Sequence, residues 1–294
     1  MHTAPVPPRS GRRRFTAACL LGCALGGQAT RPLFAADASS EASSDPGGAL
    51  LSRVIAGAHR SPDARARDAA RHPFETLRFF GIRPHMHVVE IAPGAGWYTE
   101  ILAPYLRDRG RLYAAHYAST GGTDYRRRSR ERFDAKLASD PSLYDRVIVG
   151  QQPDADHGFR GITPPGGADM VLTFRNLHNW MKAGHLDRSL RAFHDVLRRG
   201  GIRGVTEHRA APGASIGEMI DTGYVTESFV VERARAAGFG LEAASEINAN
   251  PRDTKDHPHG VWSLPPGLRG KDVERERFLA IGESDRMTLR FRKA

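Results

Sequence analysis

Cysteine is almost missing: the 294 residues hold two, Cys19 and Cys23, and none beyond them. From residue 24 onward this excludes a disulfide framework, a cysteine zinc site and a thiol nucleophile. Also lacking is any run of about 20 apolar residues, the length a spanning helix needs. The apolar stretch from Phe15 to Ala29 is shorter and is interrupted by Gly22, Gly26 and Gly27. Acids are absent from residues 1–36, which carry Arg9, Arg12, Arg13, Arg14 and Arg31, so half of the net charge of +10 belongs to this segment. What remains on the rest is too little to argue for a nucleic-acid surface. The 13 histidines show no metal-ligand spacing, so no metal is expected. No internal repeat is visible.

What is present falls into three parts. Arg12-Arg13-Arg14-Phe15 ahead of a weakly apolar run, with small residues around Leu33-Phe34-Ala35-Ala36, predicts a twin-arginine signal peptide over residues 1–36. The protein is therefore expected to be periplasmic or otherwise exported. A lipoprotein anchored through Cys23, in Leu20-Leu21-Gly22-Cys23, is the lesser alternative. Residues 37–63 read as a disordered linker of small and polar residues followed by a short helix, with Leu50, Leu51, Val54 and Ile55 on one face. Residues 64–294 are the expected folded domain.

Within that domain, strands and helices alternate. Pro73 opens a helix carrying Phe74, Leu77, Phe79 and Phe80, which Gly81 ends. Strands are predicted at Val88–Ile91, Leu112–Ala115, Val147–Val149, Met170–Phe174 and Ile202–Glu207. Helices are predicted at Tyr98–Leu106, through Leu186, Leu190, Phe193 and Leu197 to a stop at Gly200-Gly201, and at Phe229–Ala237. Two late strands, Leu241–Ile247 and Met287–Phe291, flank residues 248–286, too irregular for a crossover helix, so this pair is expected to be antiparallel around a long functional loop. The fold class is therefore α/β: a doubly wound, mostly parallel seven-stranded sheet with helices on both faces. Arg126-Arg127-Arg128-Ser129-Arg130 precedes Phe133 and Leu137 at helical spacing and reads as a solvated helix face; no nucleic acid is expected.

The chemistry-bearing segment is Val88-Val89-Glu90-Ile91-Ala92-Pro93-Gly94-Ala95-Gly96-Trp97-Tyr98-Thr99. A strand enters a Gly-x-Gly turn that opens a helix, where the backbone comes close to a ligand and unpaired N–H groups face it. A dinucleotide site would want a third glycine where Thr99 stands and an acid about 20 residues later; neither is there. An acid does stand four residues before the first glycine, at Glu90.

The stretch Glu90–Leu106 resembles an exported branch of class I S-adenosylmethionine-dependent methyltransferase-like proteins. So do Asp169–Trp180, Glu207-His208-Arg209, Asp253-Thr254-Lys255-Asp256 and Ile281–Arg286. The resemblance implies a sheet ordered 3-2-1-4-5-7-6, a Rossmann-like arrangement with the cofactor across the ends of the first, second and fourth strands. It implies that Glu90, Pro93, Gly94, Gly96, Trp97 and Tyr98 surround S-adenosyl-L-methionine, with Arg175 and Asn176 just past the fourth strand. His178, Glu207 and His208 are the candidate catalytic residues, on polar positions at strand carboxyl ends. The sequence departs from the family where the second strand ends in Ala115-His116-Tyr117 rather than in an acid, which leaves His116 as the candidate partner of the ribose. The expected function is methyl transfer to a small acceptor. The alternative is a non-catalytic exported ligand-binding protein that retains the fold.

Overall fold

The computed structural model describes residues 45–294; the expected signal peptide and most of the linker's polar stretch lie outside the described residues. The first helix, α1 (Pro46–Ile55), starts where Asp45 Oδ1 accepts from the Gly47 N–H at 3.0 Å. Its Leu51 and Val54 are buried against Leu102 and Tyr105. The packed body therefore takes in this helix and begins ahead of residue 64. Ser61 caps α2 (Pro62–Ala66), whose first-turn proline stands where an N–H has no partner in any case. Then come α3 (Asp68–Arg71) and α4 (Pro73–Phe80), the latter ended by Gly81 at φ +82°.

Seven strands form one sheet: β1 (His87–Ile91), β2 (Arg111–His116), β3 (Ile148–Gln151), β4 (Ala168–Phe174), β5 (Leu197–His208), β6 (Phe239–Ser245) and β7 (Arg286–Lys293). Their order is β3-β2-β1-β4-β5-β7-β6, as the resemblance implies. The first five run parallel, and β7 lies antiparallel between β5 and β6. Alternate residues of each central strand face opposite layers. Val89, Ile91 and Val171 join Leu190, Phe193 and Val230 on one side; Val88, Met170 and Leu172 join Leu77, Phe80 and Ile101 on the other. The helices after the strands are α5 (Thr99–Leu106), α6 (Asp124–Ser139), α7 (Pro141–Tyr144), α8 (Leu177–Lys182), α9 (Leu186–Val196), α10 (Ile216–Thr222), α11 (Glu227–Ala236) and α12 (Arg275–Ile281).

One boundary is corrected. Gly200-Gly201 does not close a helix: α9 ends at Val196 and both glycines lie within β5. There the register jumps from Ala168↔Leu197 to Met170↔Ile202, and Gly200 turns the extra residues out at φ +72°.

The 246–285 segment between β6 and β7 is held by Asp253. Its fully buried carboxylate accepts from Tyr224 Oη at 3.0 Å, the Asp285 N–H at 2.8 Å and the Lys255 N–H at 3.0 Å. Those bonds fix the loop where it returns to the carboxyl end of the sheet. In the order β2-β1-β4, the chain leaves β1 on one side and comes back on the other, so connections diverge above β1 and β4 and leave a crevice.

Candidate active site

At the end of β1 the chain makes its turn with Ala92, Gly94 and Gly96 all in the left-handed region, at φ +48°, +61° and +84°. Glu90 sits beneath it, 1% exposed, and one carboxylate oxygen accepts from Thr99 Oγ1 at 2.7 Å. Burial pushes its carboxyl up from 4.5 to about 7, with the Thr99 hydrogen bond pulling the other way. An acid held like this weakens the fold as pH rises from its ordinary value through about 7. Glu90→Gln is therefore expected to be more stable than wild type at pH 8, by up to about 3 kcal/mol, the two converging near pH 4.5. Melting curves across that range check it; a parallel pair of curves would remove the argument. A buried carboxyl kept at a cost to stability, in a cleft, makes Glu90 a candidate for contact with a ligand.

Above the turn opens a cleft of about 680 Å³, within the usual range for ligand pockets of about 300–1,000 Å³. Glu90, Pro93, Gly94, Trp97 and Tyr98 form the wall from the β1 side, and Arg175 and Asn176 from the β4 side. Tyr98 stacks on Phe174 with ring centroids 3.5 Å apart and planes at 11°, joining the two sides. Asn176 Nδ2 donates to Ile91 O and Thr173 Oγ1, both at 3.2 Å, and so ties β1 to β4. Trp97 is both wall and prop: its Nε1 donates to Ala64 O at 3.0 Å, while Arg71 lies 4.5 Å from its ring centre. The two glycines part company. A Cβ on Gly94 would meet nothing within 4 Å, whereas one on Gly96 would lie 2.8 Å from Lys136 Cδ and 3.4 Å from the Phe133 ring. Gly96 faces α6, not the cleft, and its role is the turn itself.

His116, the sequence's candidate for the ribose, also lies off the cleft wall. It is fully buried, its Nδ1 accepts the Tyr117 N–H at 2.7 Å, and its Nε2 therefore carries the proton and donates to Gly94 O at 3.0 Å. Burial holds its pKa down, so the ring is a neutral clamp between the end of β2 and the glycine turn. Tyr117 faces the cleft in its place. His116→Asp is expected to cost about 2–4 kcal/mol of stability, because a buried carboxylate replaces a donor against Gly94 O. No tightening of S-adenosylmethionine binding should accompany it; tighter binding in an equally stable mutant would overturn this placement.

At the far end of the cleft stand His178 on α8 and His208 at the end of β5, ring centres 5.6 Å apart. Glu207 is fully buried behind them and does not line the cleft. Its carboxylate accepts the Leu177 N–H at 2.6 Å, the His208 N–H at 3.0 Å and His178 Nδ1 at 3.2 Å. A carboxylate only accepts, so Nδ1 holds the proton and Nε2 is the free acceptor of a ring that lines the cleft. His208 Nδ1 pairs with Ser284 Oγ at 2.6 Å. Burial, and after it His178, Arg175, Arg286 and Arg71, push the His208 pKa well down. His178, Glu207 and His208 bring metal-ligating atoms within 4.8 Å of one another. The surrounding guanidiniums oppose a dication, and both Glu207 oxygens already accept hydrogen bonds, Oε2 from Leu177 N–H and Oε1 from His178 Nδ1 and His208 N–H. A hydrogen-bonded base suits the arrangement better.

Sequence reasoning missed the residues that close the cleft from outside the strand ends: Arg67, Arg71, Trp262, Arg269 and Glu283. For Glu283 a signal existed, since Ile281–Arg286 carries part of the resemblance. The others stand on segments without a local pattern.

No protein-family model and no curated protein matches the chain. Among solved structures, the cyclase SpnF is 19% identical, with 83% of this chain and 92% of that one covered at a TM-score of 0.52. A proposed sarcosine dimethylglycine methyltransferase from Galdieria sulphuraria is 12% identical, covering 77% and 84% at 0.51. A methyltransferase dependent on S-adenosylmethionine from Aquifex aeolicus is 16% identical, covering 67% and 93% at 0.47. The fold is that of the class I methyltransferases. Within this methyltransferase fold the cleft occupies the crevice above β1 and β4, where a doubly wound sheet takes its ligand. That a cyclase shares the fold shows that architecture alone does not choose the reaction.

Proposed function

We propose that the protein is an S-adenosylmethionine-dependent methyltransferase acting on a small acceptor. The observation that carries this reading is the single cleft joining Glu90, the open face of Gly94 and Asn176 to a carboxylate-held histidine, His178. The donor set suits the cofactor: Glu90 offers a carboxylate to its positive groups, and Gly94 leaves room where a side chain would intrude. Tyr117 lines the cleft just past the end of β2, the region where the resemblance implies an acid for the ribose. When bound, S-adenosylmethionine supplies an electrophilic methyl group. The protein's part is to hold the acceptor in line and exclude water. His178 Nε2 takes the proton released by a hydroxyl or amine acceptor, and Glu207 holds the ring's tautomer and steadies the resulting imidazolium. Isothermal titration with S-adenosylhomocysteine, followed by label transfer from S-adenosylmethionine to a small-molecule extract, tests the reading. The expected result is saturable binding and a labelled product; no binding would end it.

The second reading, a non-catalytic binding protein, is favoured by the absent acid at the end of β2. Binding without any label transfer would select it. We also propose that the protein is exported, on the strength of Arg12-Arg13-Arg14-Phe15. Replacing Arg12 and Arg13 with Lys should leave the precursor in the cytoplasm on fractionation; undiminished export would refute the twin-arginine route.

A further inference from the structure

Positive charge gathers on one wall of the cleft far beyond its acidic partner. Glu283 receives Arg67 Nε at 2.6 Å, Arg71 Nε at 3.2 Å and Arg286 Nη1 at 3.1 Å. Burial pushes its carboxyl up, yet Arg71, Arg286, Arg67 and Arg175 together hold it at about 2. Arg175 and Arg269 add two more guanidiniums to the lining, and among the described residues neither is paired with a carboxylate. Glu90, the other acid of the wall, is half protonated near neutral pH.

Arg175 is also held in an unusual way. Its backbone lies at φ +63°, a conformation that costs a non-glycine residue free energy, and its N–H donates to Thr206 O at 2.7 Å. The turn thereby holds a long cation at the cleft wall, near Glu283 but in no ion pair with an acid among the described residues. Glu283 is followed by Ser284, the partner of His208, so the arginines and the two histidines share one wall.

S-adenosylmethionine does not balance this excess, because its sulfonium and ammonium outweigh its single carboxylate. On the reading that the cleft is a methyltransferase site, we propose that the acceptor is an anion. It is a small molecule bearing a carboxylate or a phosphate, gripped by Arg175 together with Arg71 and Arg67 at the histidine end of the cleft. Guanidiniums bind both groups through paired N–H donors, so the shared chemistry is a planar or tetrahedral oxyanion.

The test is calorimetric and needs no turnover. The purified chain is first titrated with S-adenosylhomocysteine, and the saturated complex is then titrated with inorganic phosphate, with succinate and with uncharged glycerol at constant ionic strength. At least one anion should bind the saturated complex and glycerol should not; whichever anion binds identifies the class. Arg175→Gln should weaken that binding about tenfold or more, while Arg175→Lys should retain part of it. Should Arg175→Gln fail to melt cooperatively, Arg67→Gln, at a partly exposed position, serves the same purpose. Failure of both anions to bind, or equal binding to wild type and mutant, overturns the proposal. Anions that displace S-adenosylhomocysteine instead of joining it also overturn it, because the arginines then serve the cofactor's carboxylate. Anion binding that Arg175→Gln abolishes, in a protein with no affinity for S-adenosylhomocysteine, sustains the anion site and defeats the cofactor reading instead.

Discussion

His178→Asn is expected to lower kcat for methyl transfer by about 10²–10⁴, with the melting temperature and the affinity for S-adenosylhomocysteine unchanged. Asparagine keeps a polar group on α8 but has no basic nitrogen, so the loss falls on proton transfer alone. Glu207→Gln should reproduce much of it although Glu207 touches no part of the cleft. A glutamine can present its NH₂ to Nδ1, which moves the ring proton to Nε2 and removes the acceptor lone pair. Both variants are measured by label transfer from S-adenosylmethionine to the acceptor in the extract. Wild-type turnover in His178→Asn would show that the acceptor arrives deprotonated or that another group takes the proton, and His208 would be the first to examine. The pH profile separates these cases. His208, with its pKa pressed well down, would give a rate flat across neutral pH.

The parts of this fold that were legible in the sequence are those that local pattern determines. Val88–Ile91 and Met170–Phe174 are apolar apart from Glu90 and Thr173 because both faces of a central parallel strand are buried, and the structure places them side by side. The antiparallel pairing of the last two strands followed from the irregularity of their connection, in which the structure forms only one short α-helix, α12 (Arg275–Ile281), not a crossover helix. Gly200-Gly201 misled because a double glycine after a helix looks the same whether it stops the helix or bulges a strand; only the partner strand's register decides. At the site, Glu90, Gly94, Asn176 and His178 were legible because each lies within a few residues of a strand's carboxyl end. His116 met the same criterion and lies off the cleft, for a reason no spacing carries: its two nitrogens are taken by Tyr117 N–H and Gly94 O. Of the arginines around Glu283, Arg175 was read from its place just past β4 and Arg286 closes a stretch that carries part of the resemblance, whereas Arg67 and Arg71 were not legible. The four come from α3 and its approach, the end of β4 and the start of β7, and only the closed sheet brings them to one wall.

The sharpest contrast lies between the two glycines of the turn, and one substitution made at both exposes it. Asparagine tolerates the left-handed backbone better than other side-chain-bearing residues, so at φ +61° and +84° it introduces a side chain with the least strain. Gly94→Asn places its new atoms in open space within the cleft wall. The fold should therefore be almost unaffected, while a ligand seated against the turn must shift. Crowding of this kind costs about 1–3 kcal/mol, or roughly tenfold to a hundredfold in affinity for S-adenosylhomocysteine. Gly96→Asn meets Lys136 Cδ at 2.8 Å and the buried ring of Phe133 at 3.4 Å. Lys136 is not free to swing away, since its ammonium is paired with Glu100. Here the same cost of about 1–3 kcal/mol should appear as lost stability, with the affinity of the folded fraction unchanged. Melting curves and titrations on both mutants give four numbers, and the expected pattern is crossed: affinity falls in one and stability in the other. If both lost affinity equally at unchanged stability, Gly96 would belong to the ligand's surroundings after all. If Gly94→Asn bound as wild type does, the cofactor would have to lie away from the turn, and the proposed site would lose the feature that anchors it to β1.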